Sequence, residues 1–327
     1  MIENLVKKII NKGGKIKPLI IPHELSGGCG LMNPSLFIDG EKILINLRNV
    51  NYAIVHSENE QRFHSRWGPL TYAHPENDNY LRTTNFYLEI NKNLDITRIN
   101  KVDTTELDKP PIWDFVGLED ARIVNWENKY YLCGVRRDTK TNGEGRIELS
   151  EITISNTDVT EITRNRIEPP NDPNSYCEKN WMPILDIPFS FVKWTNPTEV
   201  VMVDLTTNKS KTTFLGKTHY PLPRDIRGGS SIINFGDYRL ALTHEVELFN
   251  SENGQKDGIY YHRFIVWDKE WNIIKWSDDF NFMGARIEFC CGLGILNNRV
   301  LITFGFQDNA AYIVETSIKF LEDLIYG

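Results

Sequence analysis

The sequence predicts an all-β chain folded as a five-bladed β-propeller, with short helical segments near its N- and C-termini. Three observations lead there. Aromatic residues make up 11% of the chain and Trp alone numbers eight. β-Branched runs alternate with Gly, Asp and Asn turns throughout, which is the punctuation of strands, and helical periodicity is confined to the two ends. A unit made of a short strand, a tight polar turn and an apolar strand ending in polar residues recurs five times, and such recurrence marks a repeat architecture.

The five copies follow in order. Residues 34–52 read as a strand, the Asp39-Gly40 turn and an apolar strand from Ile43 to Leu47; Asp-Gly between apolar runs is a strong hairpin signal. Residues 120–137 turn at Glu127-Asn128-Lys129, 181–204 form the least regular copy, 229–246 turn at Phe235-Gly236-Asp237, and 289–306 turn at Asn297-Asn298. A second hairpin follows each copy, in 86–94, 147–162, 199–215, 260–276 and 310–314. Two hairpins make a four-stranded sheet, and five such sheets closing on themselves remove exposed strand edges and leave a central channel. A pair of β-sandwiches is the architectural alternative. In the propeller, the polar clusters near the inner strands converge on one pocket. The expected organisation is an N-terminal extension over residues 1–30, a propeller domain over 31–315 and a tail over 316–327.

The 327 residues are 40% hydrophobic and 25% charged, inside the globular range and long enough to bury a large core. Net charge is −7, from 37 basic and 44 acidic residues without long like-charge runs, which disfavours nucleic acid or an anionic membrane as the main partner. No apolar stretch reaches the length of a membrane span. Residues 1–10, MIENLVKKII, form an amphipathic pattern interrupted by charge, expected as a short docking helix and not as a signal peptide. Five cysteines (Cys29, Cys133, Cys177, Cys290, Cys291) are odd in number and lack paired metal spacing. The neighbours Cys290 and Cys291 cannot form an unstrained disulfide, so a reducing, cytoplasmic setting is expected.

The densest polar cluster is Gly117-Leu118-Glu119-Asp120-Ala121-Arg122, at the entrance of an apolar strand. Strand alternation puts Glu119 and Asp120 on opposite faces, so one carboxylate faces a ligand while the other can pair with Arg122. The segment reads either as a solvated turn with a local ion pair or, with Trp113, Phe115 and Trp126 nearby, as a partly desolvated carboxyl that holds a proton for general-acid work. Glu178-Lys179-Asn180-Trp181 offers Lys179 as an anion ligand or, equally, as the partner of Glu178 in a rim salt bridge. Arg227-Gly228-Gly229-Ser230 sets a cation beside a permissive backbone, suited to close ligand approach or to a bulge. His244 interrupts an apolar strand, as a ligand group or as a hydrogen-bonded structural residue.

Arg48 ends the second strand of the first copy, and Arg136 and Arg137 end that of the second. Adjacent residues point to opposite faces, so one of those two arginines enters the pocket. Glu288 and Asp308 are the carboxylates opposite the first cluster, with capping or ion pairing as the plain alternative. Gly292-Leu293-Gly294 lies inside a strand and is no dinucleotide fingerprint, and Gly27-Gly28-Cys29-Gly30 lacks the Lys and Ser/Thr of a phosphate loop. No residue cluster has metal-ligand spacing, and no Gly-x-Ser-x-Gly elbow occurs.

As an ordered series, Asn33-Pro34-Ser35, Gly-x-Glu-Asp-x-Arg at 117–122, Glu178-Lys179-Asn180-Trp181, Gly228-Gly229-Ser230, His244 and Gly305-Phe306-Gln307-Asp308 resemble the propeller enzymes of glycoside hydrolase family 130. The related mannosyltransferase/phosphorylases share the likeness, which runs from about residue 30 to about 315. It implies Asp120 as the general acid on a β-mannoside, and phosphate held by basic residues such as Arg48, Lys179 and His244, with Arg136 and Arg227 as further candidates. Arg48, Asn51, Glu119, Arg122, Trp181, Glu288 and Asp308 are the expected substrate contacts. Ala121 replaces the family's proline and Glu245-Val246 a glycine turn, marks of a divergent branch. No metal or organic cofactor is expected; inorganic phosphate, a sugar phosphate or a nucleotide sugar would enter as substrate.

The expected activity is inverting chemistry on a glycosidic bond of mannose or a related hexose, by phosphorolysis or glycosyl transfer. Hydrolysis, the nearest rival, needs a second carboxylate to activate water, for which Glu288 and Asp308 are the candidates, whereas phosphorolysis needs cations that seat phosphate. A propeller that binds glycans or proteins without chemistry is the third reading. An enzyme gathers Asp120, Arg48, Lys179 and His244 in one place; a binding platform spreads its polar contacts over a rim.

Overall fold

The computed structural model describes residues 3–27, 30–55, 71–171, 174–217, 226–250 and 256–327; Gly28 and Cys29, together with the first two residues of the N-terminal segment, lie outside these. Strands dominate, and three short helices occur among the described residues. The strands form five antiparallel runs in chain order. Run 1 pairs Leu31–Asp39, Lys42–Val50, Leu81–Ile90 and Ile96–Asp103. Run 2 pairs Leu118–Trp126, Lys129–Arg136, Arg146–Ile154 and Val159–Arg166. Run 3 pairs Met182–Pro183, Ser190–Trp194, Glu199–Asp204 and Lys209–Leu215. In run 4, Ile226–Arg227 and Ile233–Phe235 both pair with Tyr238–Asn250, followed by Lys256–Trp267 and Ile273–Trp276. Run 5 pairs Glu288–Leu296, Arg299–Phe306 and Ala310–Ser317.

The fourth strand of run 5 comes from the other end of the chain. Lys15–Pro18 pairs antiparallel with Ala310–Ser317, Lys15 opposite Glu315 and Pro18 opposite Tyr312. The sequence pattern assigned no strand to this segment. Its pairing covers an edge that would otherwise be open to another chain.

Period-2 alternation with both faces buried explains the cores. In Lys129–Arg136, Tyr131 and Cys133 face one cluster shared with Trp181, Phe191 and Val201 of run 3. Leu132, between them, faces the cluster that Leu118 and Ile123 share with Leu44 and Tyr87 of run 1. The same holds around the molecule: Ile184 and Val192 of run 3 pack with Ile232 and Trp267 of run 4, Leu242 and Phe264 of run 4 with Val300 and Phe304 of run 5, and Leu301 and Ile313 of run 5 with Leu36 and Leu88 of run 1. Every run therefore shares a core with the run before it and the run after it.

The helix Leu5–Asn11 is capped by the Asn4 side chain, which accepts from Lys7 N at 2.9 Å, and buries Leu5, Val6 and Ile9 in the core between runs 4 and 5. The C-terminal helix Ile318–Tyr326, capped by Ser317, buries Leu321 and Ile325 in the same core, so it docks on its own chain. A single turn, His23–Ser26, is the third helix. No helix among the described residues is long and apolar enough to cross a membrane.

Deleting residues 3–18 removes three buried apolar side chains of one core and bares the edge of Ala310–Ser317. We expect the shortened chain to lose more than about 3 kcal/mol of stability and to self-associate, read by chemical denaturation and light scattering; unchanged stability would show that the N-terminal segment is not part of the fold.

Candidate active site

Arg48 lies near the end of the second strand of run 1 and is only 5% exposed. Its Nε donates to Thr83 Oγ at 3.1 Å, Nη1 to Asp120 Oδ1 at 2.8 Å, and Nη2 to both the Tyr52 hydroxyl at 3.1 Å and Glu119 Oε2 at 3.3 Å. Thr83 reaches it from the neighbouring strand, where Thr83 stands opposite Val50. Asn33, from the first strand of run 1, donates Nδ2 to the same Asp120 oxygen at 2.7 Å. Residues distant in the sequence thus meet around one guanidinium.

Strand alternation had placed Glu119 and Asp120 on opposite faces, with one of them on Arg122; instead both reach Arg48. The cause is a bulge between Glu119 and Arg122, where the ladder with Lys129–Arg136 slips and Asp120 takes a left-handed conformation (φ 50°). A bulge re-aims one side chain at the cost of local strain. Asn33 (φ 48°) stands in the equivalent slip of run 1, between Met32 and Ser35. Arg122, freed from its expected partner, acts as a strut: Nε and Nη2 donate to Gly229 O at 2.9 and 2.6 Å, and Nη1 to Asp120 O at 2.7 Å. Gly229 fits there because a Cβ would stand 2.2 Å from Leu242 O. Arg122 is 2% exposed, and its guanidinium is engaged by backbone carbonyls.

Burial opposes ionisation of all three carboxyls of the cluster. At Asp120 it is overcome by Arg48, Asn33 and Arg122, which hold the carboxyl below its ordinary range. At Glu119 burial prevails over Arg48, with Asp120 adding to it, so its pKa is raised; its second oxygen, Oε1, is buried without a hydrogen-bond partner. At Asp308, in the turn after Arg299–Phe306, burial together with Asp120 and Glu119 outweighs Arg48 and Lys179 and pushes the carboxyl up to about 6. Asp120 is therefore the carboxyl held lowest, and Asp308 is the one pushed up to about 6.

The cationic side consists of Lys179, Arg137 and Arg227. Lys179 acts electrostatically on Glu119, Asp308 and His244, and Arg137 on Glu119. The rim salt bridge with Glu178 does not form: Glu178 pairs with Lys193 at 3.3 Å and accepts from Trp181 Nε1 at 3.0 Å. Arg227 stands opposite His244 in the ladder. His244 is buried, stacked on Tyr260 and edge-on to Phe289, with Nδ1 2.8 Å from Gly228 O. That carbonyl assigns the hydrogen to Nδ1. Burial first, then His262, Arg227 and Lys179, lower its pKa well below the usual value despite the Gly228 bond, so His244 is neutral near pH 7 and offers an Nε2 lone pair, not a positive charge.

Four expected contacts lie elsewhere. Trp181 is 2% exposed and fills the core between runs 2 and 3, with the Lys193 ammonium over its ring. Glu288 is fully buried, and its two oxygens accept from the backbone N–H groups of Phe282, Met283 and Ala285, the capping alternative. Asn51 spends its amide on Arg82 N, Tyr80 O and Asp78, tying down a loop. Arg136 turns away into a buried ionic lattice with Glu148 at 2.6 Å, and Arg137 is the arginine that acts on the cluster. Sequence reasoning did not select Tyr52 or Thr83, whose hydroxyls orient Arg48; Tyr52 lies four residues after it and Thr83 on the neighbouring strand. Among the described residues no three His, Cys, Asp or Glu side chains come together as a metal site.

The raised Asp308 pKa carries a stability signature. As pH rises from the ordinary carboxylate range to about 6, the unfolded chain releases this proton before the folded chain does, so stability falls across that window and is flat above it. Asp308→Asn should remove the fall and gain ~1–2 kcal/mol at pH 7.5 relative to pH 4, measured by denaturant titration at both pH values. Glu288→Ala should cost ~1–3 kcal/mol by orphaning the buried N–H of Phe282 and the less buried ones of Met283 and Ala285; a near-neutral effect would remove Glu288 from its capping role.

Neither a family model nor a curated protein matches the chain. Solved structures do match in fold. A β-1,2-mannobiose phosphorylase from Listeria innocua, solved with β-1,2-mannobiose, is 12% identical with a TM-score of 0.54, over 94% of this chain and 96% of that one. A structure reported for glycoside hydrolases of the family 130 mannoside phosphorylases that target β-1,2-mannosidic linkages in Candida mannan gives 12% and 0.56, over 89% and 85%. A mannose phosphorylase from Leishmania mexicana in complex with phosphate gives 12% and 0.51, over 98% and 95%. The all-β fold of this chain is thus similar to that of the family 130 mannoside phosphorylases, the same likeness that its ordered motifs carry.

Proposed function

We propose that the five runs are the blades of a closed propeller, residues 31–315, and that the chain is an inverting carbohydrate-active enzyme that makes or breaks a β-mannosidic or related hexosidic bond. The cyclic order of the shared cores supports closure. The observation that carries the activity is the meeting of Asp120, Glu119 and Asp308 around Arg48, with Lys179 acting on Glu119 and Asp308. This gathering separates a reaction centre from a rim platform. Phosphorolysis is favoured over hydrolysis because Glu288 is committed to the backbone and Lys179, Arg137 and Arg227 supply cations for phosphate or a phosphorylated donor, which enters as substrate with no further cofactor.

The protonation states suggest how the acid is armed. Asp120 is ionised because Arg48 faces it at 2.8 Å. An anion bound beside the cluster offsets that positive charge and raises the proton affinity of Asp120, so the proton needed by the leaving oxygen resides on Asp120 when the anion is in place. Hydrolysis remains the second reading on one observation: Asp308, pushed up to about 6, is a carboxyl suited to activating water above that pH. Cys133, Cys177, Cys290 and Cys291 are free, in keeping with a reducing, cytoplasmic setting.

Purified protein given α-mannose-1-phosphate and mannose or manno-oligosaccharide acceptors should release phosphate, and release of nucleotide from GDP-mannose would identify transfer. Asp120→Asn should lower turnover by about 10³-fold or more with unchanged circular dichroism; an active Asp120→Asn protein rejects the assignment. Lys179→Ala should raise the KM for phosphate or the phosphorylated donor roughly tenfold while kcat changes less, and an unaltered KM would remove Lys179 from the anion site.

A further inference from the structure

Two buried side chains of run 1 reach across to run 2 on either side of Glu119 and Asp120. Asn46 interrupts the apolar stretch of Lys42–Val50 and is 1% exposed; Asn85, 8% exposed, stands directly opposite Arg48 on the neighbouring strand. Asn46 Nδ2 donates to Asn85 Oδ1 at 2.9 Å and to Ala121 O at 3.0 Å, and Asn85 Nδ2 donates to Leu118 O at 3.0 Å. The two carbonyls so held belong to the residue before Glu119 and the residue after Asp120.

The slip in run 2 explains why the backbone there takes partners from another run. Leu118–Trp126 pairs Glu119 with Val135 and then Arg122 with Cys133, which leaves Asp120 and Ala121 without a place in the register. Backbone groups that a bulge takes out of the ladder must be satisfied elsewhere when they are buried. Arg122 takes Asp120 O, Asn46 takes Ala121 O, and the buried Ser35 hydroxyl accepts from Ile123 N at 3.0 Å. Run 1 thus supplies a donor and an acceptor that close the far side of the bulge.

The amide orientations follow from this geometry. Asn46 turned over would set its oxygen against Ala121 O and Asn85 Oδ1, and Asn85 turned over would set its oxygen against Leu118 O. In the orientation adopted, Asn46 Oδ1 is buried without a hydrogen-bond partner. Burying an amide with its oxygen unpaired is unfavourable, and a leucine of similar size would avoid that cost. What the position uses is the nitrogen. By strand alternation Asn46 and Arg48 share a face, and Asn85, opposite Arg48, shares it too. One strand pair therefore holds the dipeptide at three points: Arg48 takes both carboxylates, and the asparagines take the backbone at each end.

We propose that Asn46 and Asn85 are positioning residues of the Arg48 site, holding the backbone on both sides of Glu119 and Asp120 so that consecutive carboxylates reach one guanidinium. The effect on turnover rests on the proposed function; the placement of the carboxylates does not. Without the two amides the strand is free to recover its alternation, which turns one carboxylate away from Arg48. Around Asp120 stand the charged groups Arg48, Arg122, Glu119 and Asp308 and the Cys291 thiol. The 2.8 Å contact with Arg48 is the one that a relaxed bulge loses, so the Asp120 carboxyl then titrates at higher pH.

Full-length protein carrying ¹³C at the aspartate carboxyls would be titrated by NMR as wild type, Asn46→Leu, Asn85→Leu and Thr198→Val, with the Asp120 signal assigned from Asp120→Asn. Thr198 is a buried hydroxyl that accepts from Trp267 Nε1 at 3.0 Å, so Thr198→Val removes a buried hydrogen bond away from the site. The Asp120 midpoint should rise by about one unit or more in both asparagine variants and stay in place in Thr198→Val. Their kcat should fall roughly 10²-fold, with KM changing less. Asn85→Ser, which keeps a polar group without the amide nitrogen, carries the same test should the leucine variants misfold. An unmoved midpoint in the folded asparagine variants, or an equal movement in Thr198→Val, would overturn the proposal. A raised midpoint in a protein that turns over no glycoside would leave the asparagines as positioning residues and remove the enzymatic reading; turnover with unmoved midpoints would do the reverse.

Discussion

Everything in the candidate site depends on one guanidinium held where it cannot reorient. Arg48 uses Nε and both terminal nitrogens on four side chains, two of them the adjacent carboxylates Glu119 and Asp120. Two neighbouring carboxylates in a poorly hydrated place repel each other, and without the arginine one of them would be neutral. Arg48 lowers the proton affinity of both, and the pair splits because it prevails over burial at Asp120, helped by Asn33 and Arg122, but not at Glu119. Adjacent residues of one strand thereby carry different proton affinities, a separation that acid–base chemistry requires.

That arrangement exists because the backbone is not a regular strand. The slip at Asp120 puts consecutive side chains on one side, and left-handed non-glycine residues persist only where their surroundings over-determine them. The surroundings are specific: Asn33 and Arg48 hold the side chain, while Arg122 holds the carbonyl of the same residue and ties it to Gly229 of run 4. The cores between successive runs fix the distances over which these bonds are made. Strain at one residue is thus carried by packing across several runs of strands, and the carboxylate geometry is as rigid as the fold.

The fold was legible to the extent that its elements announce themselves locally. The Asp39-Gly40 and Asn297-Asn298 turns and the apolar alternation of their strands are short-range signals, and both hairpins form where expected. The pairing of Lys15–Pro18 with Ala310–Ser317 was not legible, because a four-residue strand whose partner lies at the far end of the chain has no periodicity to betray it. At the site, the residue types pointed to Arg48, Glu119, Asp120 and Asp308, yet strand alternation gave the wrong faces because a bulge cancels the period-2 rule. Trp181 misled for a different reason: an indole beside polar residues looks the same in sequence whether it walls a pocket or, as here, fills a core and donates to Glu178.

The division of charge that results is what a group-transfer centre needs. Carboxylates crowd around Arg48, while Lys179 acts on Glu119, Asp308 and His244, Arg137 on Glu119 and Arg227 on His244. An anion placed against Arg48 alone would face Asp120 and Glu119 at close range and be repelled; placed towards Lys179, it gains attraction from the lysine while weakening the hold of Arg48 on Asp120. His244, neutral because it is buried beside these cations, adds no charge that would trap the anion there. On the proposed reading, a phosphoryl group held near Lys179 raises the proton affinity of the carboxylates around Arg48 while it is bound.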